Sequence, residues 1–321
     1  MPDILAHYCL GNRVLHALTP QRQESIHRGL FDLATLGPDP WFSYRFYLPS
    51  RQEGKPAHGG EMHNKKTGAF LTALCREAQQ STERDLLFSY LAGFLCHYAL
   101  DSAAHPYIIY RTGHYDGTEA TRMYRGNHTY LERALDLLVK KREKLPERPI
   151  LKKVLYMRRL PKEVRPGLDR VFKTVYGWEN ASADMDRCIF SQRLFYLLMQ
   201  DRTGLLDRLL RRVDNGKSKN DLTSLCYYGK ERPQIDVANE AHHEWMHPCD
   251  KGEVSRDSFF DRMDQAATRA EKWIAAAARC IYDGEEIAEN MFENRSYKTG
   301  FDCEDSRHKA ALCCEPFNIK E

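Results

Sequence analysis

The chain has 321 residues, 42% of them hydrophobic and 29% charged, the balance of a water-soluble globular protein long enough for one large or two modest domains. Lysine and arginine exceed aspartate and glutamate by 48 − 45 = 3, too little by itself to call for nucleic acid or an anionic membrane as partner. The ten cysteines are too sparse for a disulfide scaffold. The most apolar stretch, Leu86 to Leu100, is broken by Ser89, Tyr90 and His97 and falls short of the ~20 residues of a spanning helix, so no integral membrane association is expected. The first residues, MPDILAHYCLGNRVLH, lack the basic start and apolar run of a secretion signal. A cytoplasmic location with reduced thiols is the expectation.

In chain order, apolar side chains at three- and four-residue steps predict helices starting near Leu5, Thr67, Arg84 and Thr129. Proline and glycine punctuate the gaps at 37–40, 48–60 and 105–117. Residues 140–165 hold eleven Lys/Arg against three Glu, a local charge of +8. A solvated amphipathic helix pair with Ile150, Leu151, Val154, Leu155 and Leu160 turned inward accounts for this block. A basic rim that attracts an anionic substrate is the functional alternative. A second long helical pattern runs from Asp186 to Val213, ahead of the turn sequence DNGKSKN at 214–220. Residues 257–282 place Phe259, Met263, Ala266, Ala270, Trp273, Ile274, Ala277 and Ile281 on one helix face. Periodicity ends after Asn290, and the segment to Glu321 is expected to wrap the surface or fray. Its Cys303, His308, Cys313 and Cys314 lack the paired spacing of a closed zinc site. Strand-like alternation is hard to find. The fold class is therefore all-α, a multi-helix domain over residues 1–289 with a polar tail over 290–321.

Histidine carries the chemistry. Nine of the thirteen lie between residues 7 and 128. His97 precedes Asp101, and His128 precedes Glu132, by four residues in segments that read as helix. Just over one turn apart, each pair projects from one face and can grip a single cation. His97 sits among Leu91, Phe94, Leu95 and Leu100, where an imidazole is costly unless both ring nitrogens are satisfied. A surface hydrogen bond explains either pair alone. Two pairs together, with His105 just beyond the first and Gly37-Pro38-Asp39 upstream, favour metal. Imidazole with carboxylate is the ligand mix of zinc, and clustered ions suit phosphoester hydrolysis.

The series His7, Asp39 in GPD, His63 in EMH, then His97, Asp101 and His105 in HYALDSAAHPYI, then His128 and Glu132 in HTYLE, resembles the zinc-dependent phospholipase C family. That family shares a helical fold with fungal single-strand nucleases. The resemblance covers roughly residues 1–135 and is closest to a cytoplasmic-type branch. It implies a phospholipase C/nuclease-type helical domain and two or three Zn2+ ions. His63, His97 and Asp101 would hold one ion, with Asp39 beside it as a further ligand or general base. His105, His128 and Glu132 would hold a second, and His7 with Asp101 a third. Two departures stand out. The secreted relatives complete the third site with an N-terminal Trp, where this chain begins Met-Pro-Asp, so either the amine of Met1 or Pro2 substitutes or the His7 position is weak or empty. The step from Asp101 to His105 is also shorter.

The resemblance implies a zinc-dependent phosphoesterase, hydrolysing a phosphodiester of anionic or zwitterionic character with metal-activated water and Asp39 as base. The alternatives are a nuclease or nucleotidase of the same fold, with nucleic acid gripped by the aromatic run Trp41 to Tyr47, and a catalytically silent metal-binding protein. In NEAHHEWMHP, Asn239, His242 and Trp245 read as packing anchors first and substrate contacts second. His16, His27, His58 and His114 match no family position and read as solvated or core side chains. Cys96 reads as a core thiol. No serine-hydrolase elbow, phosphate loop or dinucleotide fingerprint is present.

Overall fold

The structure, a computed structural model, describes residues 3–145, 155–201, 203–213, 224, 226, 235–309 and 313–316. Within them eleven α-helices follow in order: α1 (Ile4–Ala17), α2 (Pro20–Glu24), α3 (Arg28–Ala34), α4 (Pro56–Asn64), α5 (Thr67–Gln80), α6 (Arg84–Thr112), α7 (Arg122–Arg142), α8 (Arg165–Tyr176), α9 (Ala181–Leu198), α10 (Leu205–Val213) and α11 (Phe259–Ala278). The fold is all-α. A 3-10 turn over Asp39–Ser43 joins α3 to the loop before α4. The expected helix starts at Leu5, Thr67 and Arg84 agree with α1, α5 and α6. The α7 helix is already formed from Arg122, so His128 stands well inside it.

Helix α6 is the axis. Its residues from Leu87 to Tyr110 are buried on every side, as expected of a helix without a polar face. Packed around it are α3, α5, α11, α1 and α7. Helix α11 is held at its start by a capping box, in which Ser258 accepts from the Asp261 amide and Asp261 accepts from the Ser258 amide. Helix α1 is fixed from a distance. The buried carboxylate of Asp136 on α7 accepts from the amides of Leu5 and Ala6, both at 2.8 Å, so a negative charge meets the positive end of the helix dipole.

Two expectations are corrected, and a third, left as two alternatives, is decided. The pattern from Asp186 to Val213 is two helices: Gly204 has φ +73°, and Asp201 accepts from the Asp207 amide at 2.7 Å, capping α10 as a new start. A hairpin, unforeseen, pairs β1 (Trp245–His247) antiparallel with β2 (Asp250–Ser255). Of the two expectations for the segment after Asn290, wrapping the surface or fraying, residues 291–303 follow the first. They form a strap in which Phe292, Tyr297 and Cys303 are buried, and Asn294 accepts from Thr67 and Gly68 of α5. The strap docks where α6 has Pro106, whose nitrogen has no proton for the Ser102 carbonyl. Gly300, at φ +71°, fits there because an added Cβ would stand 2.4 Å from that carbonyl oxygen.

Of the basic block, residues 146–154 lie outside the described residues, with the expected inward positions Ile150, Leu151 and Val154. Leu155 and Leu160 are buried as expected. The DNGKSKN turn and Met1 and Pro2 also lie outside. Asp136→Asn should cost about 1–3 kcal/mol of stability, since one carboxylate acceptor becomes a donor facing the amides of α1. Urea denaturation measures this, and an unchanged midpoint would contradict the anchoring role.

Candidate metal centre

The α6 spacing puts His97, Asp101 and His105 at steps of four along one face, each turned about 40° from the last. Helix α1 brings His7 to the same face, stacked on His97 with ring centroids 4.0 Å apart. Helix α4 brings His63, and the 3-10 turn brings Asp39. Helix α7 contributes His128 and Glu132 from below His105. The approach at the turn depends on Gly37, whose φ is +52° and whose Cβ, if present, would stand 2.3 Å from Cδ2 of His97.

Asp101 is the hub and is fully buried, at 0% exposure. Its Oδ1 lies 3.2 Å from Nε2 of His7, and its Oδ2 lies 3.1 Å from Nε2 of His97, 3.7 Å from Nε2 of His63 and 3.7 Å from Nδ1 of His105. Oδ1 of Asp39 stands 3.3 Å from Nε2 of His63 and 3.6 Å from Nε2 of His97. Oε1 of Glu132 is 2.8 Å from Nε2 of His128 and 3.8 Å from Nε2 of His105. Two groups thus form in which the donor atoms lie within 4.8 Å of one another: Asp39, His63, His97 and Asp101, and His105, His128 and Glu132.

The outer faces of the rings are engaged by the main chain. Nδ1 of His63 donates to the Gly59 carbonyl at 2.6 Å, that of His97 to Thr35 at 3.0 Å, and that of His105 to Tyr297 at 2.8 Å. A carbonyl only accepts, so each Nδ1 carries the proton and each Nε2 lone pair points inward. The strap closes the arrangement, for the Tyr297 amide also donates to the His63 carbonyl at 2.9 Å.

The inner atoms are where a cation fits. Nε2 of His97, both nitrogens of His7, Oδ1 of Asp39 and both oxygens of Asp101 are buried and make no hydrogen bond, a costly state for polar groups. Divalent zinc takes imidazole and carboxylate donors of this kind. Burial lowers His7 to about 4, with the neighbouring His97 adding to it, and holds His105 and His128 well below the usual imidazole range, so all three present the neutral ring that ligates. Burial also raises the Asp39 carboxyl. For His97 burial is outweighed by Asp101 and Asp39, and its net direction is up. For Asp101 burial is likewise outweighed, by His97 and His105, and its carboxylate is held well below the usual range.

A cavity of about 420 Å3 opens beside the second group, lined by His63, His105, His128, Glu132, Phe42 and Lys298 among others. The zinc-dependent phospholipase C family model matches residues 6–181, more than half of the chain. The chain belongs to that family. Neither the curated proteins nor the solved structures contain a match. Membership in the zinc-dependent phospholipase C family implies a hydrolase, and together with the two groups of donors it supports a zinc-dependent phosphoesterase in general terms.

Asn239, His242 and Trp245 do not line this cavity. Asn239 donates to the His243 carbonyl, and its side-chain oxygen accepts from the His243 amide. Trp245 donates from its indole to the Asp257 carbonyl and packs on Tyr107 and Tyr110. His242 is exposed, with its ring at the Arg256 carbonyl. Asn239 and Trp245 tie together the loops before α11. Of the aromatic run, Trp41 and Tyr44 are core, and Phe42 reaches the cavity. His27 caps α3, and His58 stacks on Trp178. His114, set aside as solvated or core, lines the cavity. Cys96 is a core thiol raised by burial. Cys303 lies against Thr67, while His308 meets Thr299, so these two are engaged separately. None of the described residues of the basic block lines the cavity.

Sequence reasoning missed Gly59, Thr35 and Tyr297, which act through main-chain carbonyls and leave no mark in residue type. Two outcomes follow from the geometry. Gly37→Ala should displace His97 and reduce the zinc content of the purified protein, read by elemental analysis beside a circular dichroism spectrum that stays helical. Zinc added to the metal-free protein near pH 7 should release protons, because burial shifts the Asp39 carboxyl toward its protonated form and it must deprotonate to ligate. An indicator dye in weak buffer detects this, and uptake without proton release would contradict it.

Proposed function

We propose that this chain is a phospholipase C-like phosphodiesterase whose site is built by the eight converging residues. Asp39, His63, His97 and Asp101 would hold one zinc, His105, His128 and Glu132 a second, and His7 with Asp101 a third. The observation that carries this reading is the set of inward donor atoms buried without hydrogen bonds around Asp101. When bound, zinc supplies an acidified water and a Lewis acid for the phosphoryl oxygens.

The chain's own residues do the rest. Asp39 orients the attacking water and accepts its proton, a role suited by a carboxyl that burial raises. Phe42, with its ring 5.2 Å from that of His63, shields the first group from solvent on the cavity side. The carbonyls of Gly59, Thr35 and Tyr297 keep the imidazoles aimed. Among the described residues no helix is long and apolar enough to cross a membrane. The proposed compartment is the cytoplasm, where the buried thiols such as Cys9, Cys75 and Cys96 stay reduced.

Purified protein should contain zinc by elemental analysis and hydrolyse a member of a phosphoester panel, with activity lost to a chelator and restored by zinc. His97→Ala and Glu132→Ala should each lower metal content and reduce hydrolysis at least ~100-fold, with a smaller effect on the unfolding midpoint. Absence of zinc after metal-replete purification would overturn the reading. Phe42 on the cavity wall favours a nuclease as second reading, since bases stack on such rings. Preferential cleavage of single-stranded DNA in the same panel would select it.

A further inference from the structure

Lys298 stands on the cavity wall, one residue beyond Tyr297, with Nζ 3.1 Å from Nε2 of His114. Burial, and then Lys298 itself, push His114 down to about 4, so its ring is neutral near pH 7 and Nε2 accepts from the ammonium. Among the described residues no carboxylate forms an ion pair with Lys298. Burial moves the Lys298 ammonium down from its ordinary value, and the groups beside it are His114 and the thiols of Cys249 and Cys314. Arg125, one turn before His128 on α7, adds a second cation to the same wall. Glu132 is the single carboxylate among the described lining residues, and it is engaged with His128. A cationic choline group entering here would meet the Lys298 ammonium beside the ligand histidines, with the single lining carboxylate already engaged. An anionic group would be attracted by Lys298.

We propose that Lys298, steadied by His114, is a specificity-determining residue that makes this cavity select phosphoesters whose organic part carries negative charge over choline esters. The inference rests on the phosphoesterase reading and narrows its substrate class. Tyr115 and Tyr124, also on the wall, would flank the carbon skeleton.

Binding separates the two claims, because it needs no turnover. Phosphoglycolate and phosphocholine carry the same phosphomonoester and differ in the charge of the tail. On the zinc-loaded full chain, calorimetry should give at least ~10-fold tighter binding of phosphoglycolate, a factor set by the charge difference. Lys298→Met, which keeps the aliphatic stem, should remove most of that preference, Lys298→Glu should invert it, and Lys298→Arg should retain it. Thermal melts report whether each variant is folded. A wild type that prefers phosphocholine, or a Lys298→Met variant that weakens both ligands equally, would overturn the proposal. A zinc-loaded protein that shows the tail preference yet hydrolyses no phosphoester would sink the enzymatic reading and leave the anion anchor standing. Cleavage of phosphatidylserine in vesicles against water-soluble glycerophosphoserine tells whether a lipid or a free phosphoester carries the anion, and faster cleavage of the phosphocholine counterparts of both would count against the anchor.

Discussion

A single ionised carboxylate sealed inside a helical core sets the terms for everything around it. Asp101 has no exposure, and four imidazoles, two from its own helix α6 and one each from α1 and α4, approach it within 3.7 Å. Withdrawing such a charge from water costs several kcal/mol unless partners compensate. The packing of α6 follows from that demand. A helix buried on all sides needs apolar neighbours along most of its length, yet at one turn each neighbour must deliver a polar ring. Helix α1 meets both requirements at once, with His7 placed among otherwise buried apolar residues, while α4 delivers His63 beside the buried Met62.

The next layer out is made of peptide carbonyls. Thr35 lies at the end of α3, Gly59 sits in the first half of α4, and Tyr297 belongs to the strap. All three accept from histidine Nδ1 atoms. Carbonyls are well suited to this, because a peptide group cannot change its protonation state and cannot rotate away from a packed backbone. The precision of the inner ring atoms therefore depends on the rigidity of the surrounding main chain, and the rigidity depends in turn on close approaches such as Gly37 against His97 and Gly300 against Ser102.

How much of this was legible in the sequence differs by length scale. The pairs His97–Asp101 and His128–Glu132 announce themselves because one helical turn is a local relation. That His7, Asp39 and His63 join them is a tertiary fact, reached through resemblance to a family and not through periodicity. The strap leaves no helical signature in the sequence for a physical reason: its order comes from turns, a buried Tyr297 and hydrogen bonds to α5, none of which produces a repeating apolar pattern. The break at Gly204 was obscured because leucines continue at helical spacing on both sides, while the cap by Asp201 decides the boundary. The hairpin at 245–255 was hidden by its brevity. Asn239 and Trp245 were recognisable as special residues, but only their hydrogen bonds to loop carbonyls show that they hold structure together.

The position of Tyr297 in the chain carries a consequence for biosynthesis. All eight converging side chains lie between residues 7 and 132, so the ribosome makes them early. The carbonyl that aims His105, and the amide that ties the strap to His63, are made far later, beyond the stretch that matches the family model. A nascent chain therefore carries every imidazole and acid of the centre well before it owns the backbone that orients them. Loading with metal in the native arrangement becomes a step that waits for translation to pass the strap.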